Sequence, residues 1–107
     1  MKKFLSNAFS IQMLVSFPAD VSISEVAATD IPMDVVSCIG HADTANVLTD
    51  MLGFDVPCNR QNVTVDADTE LYVAQVVGGR LPEGAITLPE GYAIKFFKVN
   101  VGGKENG

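Results

Sequence analysis

The stretch ELYVAQVV, residues 70–77, is apolar at nearly every position. A strand with one wet face alternates polar and apolar residues, whereas a strand covered on both faces reads as a continuous apolar run. The stretch therefore predicts a central strand between two layers, and it narrows the fold to a sheet with chain packed on both sides. A chain of 107 residues can supply one such sheet and one core. With 48% hydrophobic and 19% charged residues, it has the composition of a globular domain.

The remaining elements are read around that strand. KKFLSNAF begins as a short strand. SIQMLVSF continues as a short helix capped by Ser10, with Ile11, Leu14 and Val15 on one face. Pro18 marks a turn, and Val21 and Ile23 alternate in ADVSISEVA as in a strand. MDVVSCIG is expected to be a short helix stopped by Gly40. DTANVLTDMLG carries the clearest helical pattern: Asp43 or Thr44 at the cap, Val47, Leu48, Met51 and Leu52 as the stripe, and Gly53 as the stop. NVTV alternates as an edge strand would, GGRLPEGAITLPEG is a loop, and YAIKFFKVNV is the last strand. The sum is an α/β fold, a single mixed sheet of about five strands flanked by short helices. One domain is expected over residues 1–101, with a flexible tail over 102–107.

The formal charge of −6 argues against general nucleic-acid binding and predicts no DNA partner, since a polyanion needs a broad basic face. Small anions remain suitable ligands where cations gather locally. Both arginines, Arg60 and Arg80, fall mid-chain beside polar or turn-forming residues, and the five lysines lie towards the ends. The N-terminal stretch has a basic start, yet Ser6, Asn7, Ser10 and Gln12 interrupt its apolar run, so it does not read as a leader peptide. No stretch approaches the length of a membrane span. Cys38 and Cys58 have neither metal-site nor disulfide-framework spacing, and read as reduced, partly buried thiols of a cytoplasmic protein.

Four polar spots stand out. Asn7 and Ser10 sit at a strand-to-helix junction in NAFS. His41, the single histidine, precedes the clearest helix. Asn59 and Arg60 form NR. The fourth spot runs from Gln75, in the apolar strand, through GGRLPEG with Arg80 and Glu83. Two of the spots lie at predicted helix N-termini, where free N–H groups favour anions. Arginines add bidentate donors suited to phosphate. A buried Gln75 amide would need partners, which a base or ribose could supply. Each residue also has a plainer reading: Ser10 as a cap, Asn7 as a turn residue, His41 as a solvated loop residue, the arginines as surface ion pairs, LPEG as a turn. One histidine and two distant cysteines do not make a zinc site, and no phosphate-loop or dinucleotide fingerprint is present.

Taken together, LSNAFSIQML, IGH with a following threonine, NR before an alternating stretch, and LYVAQVVGGRLPEG followed by KFFKV resemble the viral ring nuclease family over roughly residues 3 to 99. The resemblance implies a homodimer that binds cyclic tetra-adenylate, the second messenger of type III CRISPR defence, across its two-fold axis. It implies cleavage to linear di-adenylate with a 2′,3′-cyclic phosphate, without metal or other cofactor, in the cytoplasm of the host if the gene is viral. It implies that His41 is the general acid on the leaving 5′ oxygen, that Glu83 assists and that Arg80 holds the scissile phosphate. Arg60, Gln75, Ser10 and Asn7 would then bind the ring.

That chemistry is sound for these residue types. The substrate's own 2′-OH is the nucleophile, so the protein needs only a proton donor, a charge clamp and in-line geometry. Two other classes of function use the same residues differently: a sponge or sensor that binds the ring without cutting it, and a structural or regulatory viral protein whose polar residues merely serve loops and caps.

Overall fold

A computed structural model describes residues 2–102 of the chain. The described chain forms one five-stranded mixed sheet: β1 (Lys2–Ser6), β2 (Val21–Val26), β3 (Val36–Ser37), β4 (Thr69–Val77) and β5 (Ala93–Val101). A single α-helix, α1 (Ala42–Leu52), and two 3₁₀ turns, Ile11–Met13 and Ala28–Asp30, complete it. The spatial order is β2-β5-β4-β1-β3. β1 is parallel to both β3 and β4, whereas β5 is antiparallel to β4 and to β2. Four strands thus share one direction and β5 alone opposes them.

The apolar stretch is central, as its pattern requires, and alternate side chains enter opposite layers. On one face Tyr72 and Ala74 pack with Leu5, Ile39 and Phe96 under Ala45 and Leu48 of α1. On the other, Leu71 and Val73 pack with Val99 under Val63 and Val65 of the segment that precedes β4. Coverage stops at Ala74: Gln75 and Val77 are exposed and Val76 is half-buried. Burial, a hydrogen bond donated to Glu70 and that carboxylate's charge push the Tyr72 phenol up to about 12, so it remains a neutral donor.

The helix ends where its sequence says. Gly53 is left-handed (φ 79°) and donates its N–H to the Thr49 carbonyl at 3.1 Å. Its start differs from the expectation. His41 is the N-cap, extended at φ −122° and ψ 128°, and Asp43 stands in the first turn. Asn59 accounts for part of this, because its N–H donates to the Ile39 carbonyl at 2.8 Å and holds the approach to the helix extended.

Three other expectations are corrected. MDVVSCIG is not a helix: Val36 and Ser37 pair in parallel with Phe4 and Leu5, and β-branched valines suit that edge. The helix expected in SIQMLVSF is only the turn Ile11–Met13, with Ser10 its cap as predicted. Leu14 then extends to bridge Val65. NVTV is not an edge strand; Val63 and Val65 do alternate inwards, but Val65 makes a lone bridge, and the true edges are β2 and β3. Of the expected tail, Gly102 is anchored by its N–H to the Asp20 carbonyl at 2.7 Å, and residues 103–107 lie outside the described residues. Among the described residues, no helix is long and apolar enough to cross a membrane.

Leu48 is fully buried where α1 meets the sheet. Leu48→Ala is expected to lower unfolding free energy by about 2–5 kcal/mol in urea titration. Ser22→Ala, at an exposed position of the β2 edge, should change it by less than about 0.5 kcal/mol.

Candidate functional site

Because β1, β3 and β4 are parallel and adjacent, their carboxyl ends open on one edge of the molecule. Ligands of open α/β sheets gather at such an edge. The candidate residues follow these ends: Asn7 and Ser10 after β1, His41 after β3, and Arg80 and Glu83 after β4. β1 ends opposite Val73, so β4 runs on for four more residues, Ala74–Val77. That overhang, about 13 Å, carries the loop 78–92 out beyond the edge and alongside the start of α1.

One open cavity of about 350 Å³ lies between them. It is lined by His41, Asp43, Thr44, Val76, Gly79, Arg80, Leu81 and Glu83. The three residues expected to be catalytic, His41, Arg80 and Glu83, therefore share one cavity, though His41 lies 39 residues before Arg80 and 42 before Glu83. All three are exposed. His41 is the N-cap, and Asp43 and Thr44 of the first helical turn line the same cavity; the free N–H groups of such a turn favour an anion.

Arg60 does not line this cavity, but it packs against Gly40, the residue before His41. A Cβ on Gly40 would stand 3.0 Å from Arg60 Nε, so the guanidinium stem crosses the bare backbone beside His41. The NR segment is held there by Asn59, whose Nδ2 donates to the Ser37 carbonyl at 2.8 Å. Among the described residues, neither arginine lies within ion-pair distance of a carboxylate; the two ion pairs are Lys3–Asp34 and Lys98–Glu70. The plain reading of the arginines as surface ion pairs thus does not hold among these residues. In a chain of charge −6, Arg80 and Arg60 bring two guanidiniums to one edge, where they stand with the carboxylates of Asp43 and Glu83.

The other expected residues are dispersed. Ser10 caps its 3₁₀ turn, accepting the Gln12 N–H at 3.2 Å, and lines a neighbouring cavity with Gln12, Gln61 and Thr64. Asn7 lies one residue past β1, but the turn there is satisfied by Ser6, whose Oγ accepts the Ala8 N–H at 3.3 Å. Gln75 is not a buried amide. It is exposed and lines a shallow groove with Phe9, Ile23 and Phe97, on the opposite face of β4 from Val76. Cys38 is buried, which pushes its thiol up despite a hydrogen bond from Gln61, whereas Cys58 is exposed rather than partly buried. Sequence reasoning missed Asp43 as part of the cavity. Its Oδ1 accepts the Gly84 N–H at 3.1 Å across 41 residues, which no local pattern signals.

A second cavity of about 350 Å³, at the amino ends of the strands, has the wrong charge for an anion. Asp20 and Asp66 line it, and no lysine, arginine or histidine does. Hydrogen bonds from Thr69 and the Asp68 N–H hold the Asp66 carboxyl below the usual range, so it stays anionic.

The profile of the STIV B116-like family matches residues 3–95, which take in the whole candidate site. The chain belongs to this family. The solved structure of B116 of Sulfolobus turreted icosahedral virus (STIV) superposes with a TM-score of 0.78 at 26% identity. The alignment covers 94% of this chain and 99% of B116. No curated protein sequence matches the chain. The family is one of small archaeal-virus proteins, and B116 shares the overall fold of this chain.

Titration with inorganic phosphate is expected to shift backbone amides of residues 41–44 and 79–84 in NMR spectra and to leave residues 65–67 and 101–102 in place. Shifts confined to the second group would put the anion at the wrong end of the sheet.

Proposed function

We propose that the chain is a metal-independent ring nuclease that opens cyclic tetra-adenylate and so switches off type III CRISPR defence in the host cytoplasm. The observation that carries this reading is the convergence of His41, Arg80 and Glu83 on one cavity, with Arg60 packed on Gly40 beside His41 and no ion pair on either guanidinium among the described residues. The sequence resemblance to ring nucleases supplies the substrate.

In this reaction the ribose 2′ oxygen attacks the adjacent phosphorus and the P–O5′ bond breaks. His41, as the general acid, gives a proton to the departing 5′ oxygen. Glu83, on the same cavity wall, takes the 2′ proton. Arg80 meets the charge that grows on the phosphoryl oxygens, where a fixed guanidinium is most useful. Arg60, lying across Gly40, holds a neighbouring phosphate. Two such cuts in one ring give two linear di-adenylates, each ending in a 2′,3′-cyclic phosphate.

One cavity of about 350 Å³ suits a single nucleotide unit rather than a four-nucleotide ring. A two-fold dimer offers the ring two equivalent sites. The second sheet face supports such pairing. It leaves Ile23 57% exposed, and in the segment that joins β1 to β2 Ile11, Val15 and Phe17 are each more than 60% exposed. Where such side chains lie together they mark an interaction face. Ser10, Asn7 and Gln75 would then bind parts of the ring outside the His41 cavity. Sedimentation should give a particle of twice the 11.4 kDa chain; a monomer at micromolar concentration would remove the two-site arrangement.

Incubation with labelled cyclic tetra-adenylate and a chelator should yield linear di-adenylate, identified by mass. His41→Ala is expected to slow cleavage by roughly 10²-fold or more while leaving ring affinity nearly unchanged. Intact ring recovered from excess wild-type protein would instead identify a sponge or sensor. No rise in melting temperature with the ring would leave neither nucleotide role standing.

A further inference from the structure

We infer that Asp43 is a positioning residue: its carboxylate latches the loop bearing Arg80 and Glu83 onto the helix whose N-cap is His41. The inference rests on the ring nuclease reading for its catalytic consequence, and on geometry alone for the latch. Residues 78–92 run between β4 and β5 without regular structure, and a connection of that length needs anchors to present side chains reproducibly. Its stem is closed on itself. A Cβ on Gly78 would stand 2.9 Å from the Gly91 carbonyl oxygen, and the Tyr92 hydroxyl donates to the Arg80 carbonyl at 3.0 Å. Neither contact fixes the loop relative to His41.

Asp43 does. Its Oδ1 accepts the Gly84 N–H at 3.1 Å, which among the described residues is the hydrogen bond between the loop and the rest of the chain. Gly84 has φ 81°, a conformation natural to glycine. The N–H it donates belongs to the peptide unit that begins at Glu83. Fixing that unit fixes the Cα from which the Glu83 carboxylate extends. Asp43 itself lies two residues beyond His41, in the first turn of α1, and faces the same cavity. One charge-assisted bond thus joins the acid's element to the element that carries the clamp and the second carboxylate. Reacting groups displaced by about 1 Å can lose on the order of 10²-fold in rate, so a latch of this kind acts on turnover more than on ring affinity.

Two substitutions separate the latch from a general effect of negative charge on the helix N-terminus. Asp43→Asn keeps an acceptor and removes the charge; Asp43→Ala removes both. Amide hydrogen exchange at Gly84, followed by NMR, reads the latch directly. Single-turnover cleavage of cyclic tetra-adenylate and ring binding read its effect. The Gly84 amide should be protected in wild type relative to the open-loop amide of Glu90, remain protected in Asp43→Asn, and exchange at least about 10-fold faster in Asp43→Ala. Cleavage should fall on the order of 10²-fold in Asp43→Ala and by only a few-fold in Asp43→Asn, with the ring Kd little changed in either. Equal losses in both variants, or a Gly84 amide as labile as Glu90 in the wild type, overturn the latch. If Asp43→Ala does not fold, the wild-type and Asp43→Asn exchange rates still decide. Wild-type protein that cuts no ring would defeat the ring nuclease reading, and Gly84 exchange would then judge the latch by itself.

Discussion

The structure depends on β4 being paired on both sides and buried on both faces. Parallel pairing with β1 fixes its direction, antiparallel pairing with β5 fixes its partner, and Leu71, Tyr72, Val73 and Ala74 lock its register by filling two layers at once. A slip of one residue would exchange the two sets of side chains. The same register decides how far β4 outruns β1, and hence where Arg80 and Glu83 stand relative to the helix start. Core packing and site geometry are therefore consequences of one alignment.

The electrostatics follow from placement rather than from totals. The chain is acidic overall, and the cavity at the amino ends carries that sign in Asp20 and Asp66. The carboxyl edge gathers both arginines, the histidine and the start of α1, together with the carboxylates of Asp43 and Glu83. Lys3 and Lys98 are engaged by Asp34 and Glu70, whereas among the described residues neither guanidinium at the carboxyl edge has an ion-pair partner. A phosphate meets a polarised molecule, and distant negative charge is screened at ordinary ionic strength.

Much of this was legible in the residues, and the failures share a cause. Gly53 stopped α1 where predicted because the left-handed stop is a local property of the chain. The central strand was legible because burial on two faces leaves a mark in every residue from Leu71 to Ala74. The expected number of strands was right, yet one member was wrong: NVTV was exchanged for Val36–Ser37, whose strand character comes from Phe4 and Leu5 over 30 residues away. Gln75 looked buried because its neighbours were, but the layers end one residue earlier. His41, Arg80 and Glu83 were singled out from residue type and family resemblance and share a cavity, whereas Asp43 was read as a cap because its partner is a backbone N–H far along the chain. Long-range pairing carries no local imprint.

The pinch between Gly78 and Gly91 has a consequence for how this family can diversify. Two backbones touch at the neck of the loop, so the separation of its feet is set by van der Waals contact and not by what lies between them. Segments of different size can be hung from that neck without prying β4 and β5 apart, since lengthening an already closed loop adds little entropic penalty. Evolution can thus remodel the mouth of the cavity, and the ligands it admits, while the sheet beneath keeps its shape.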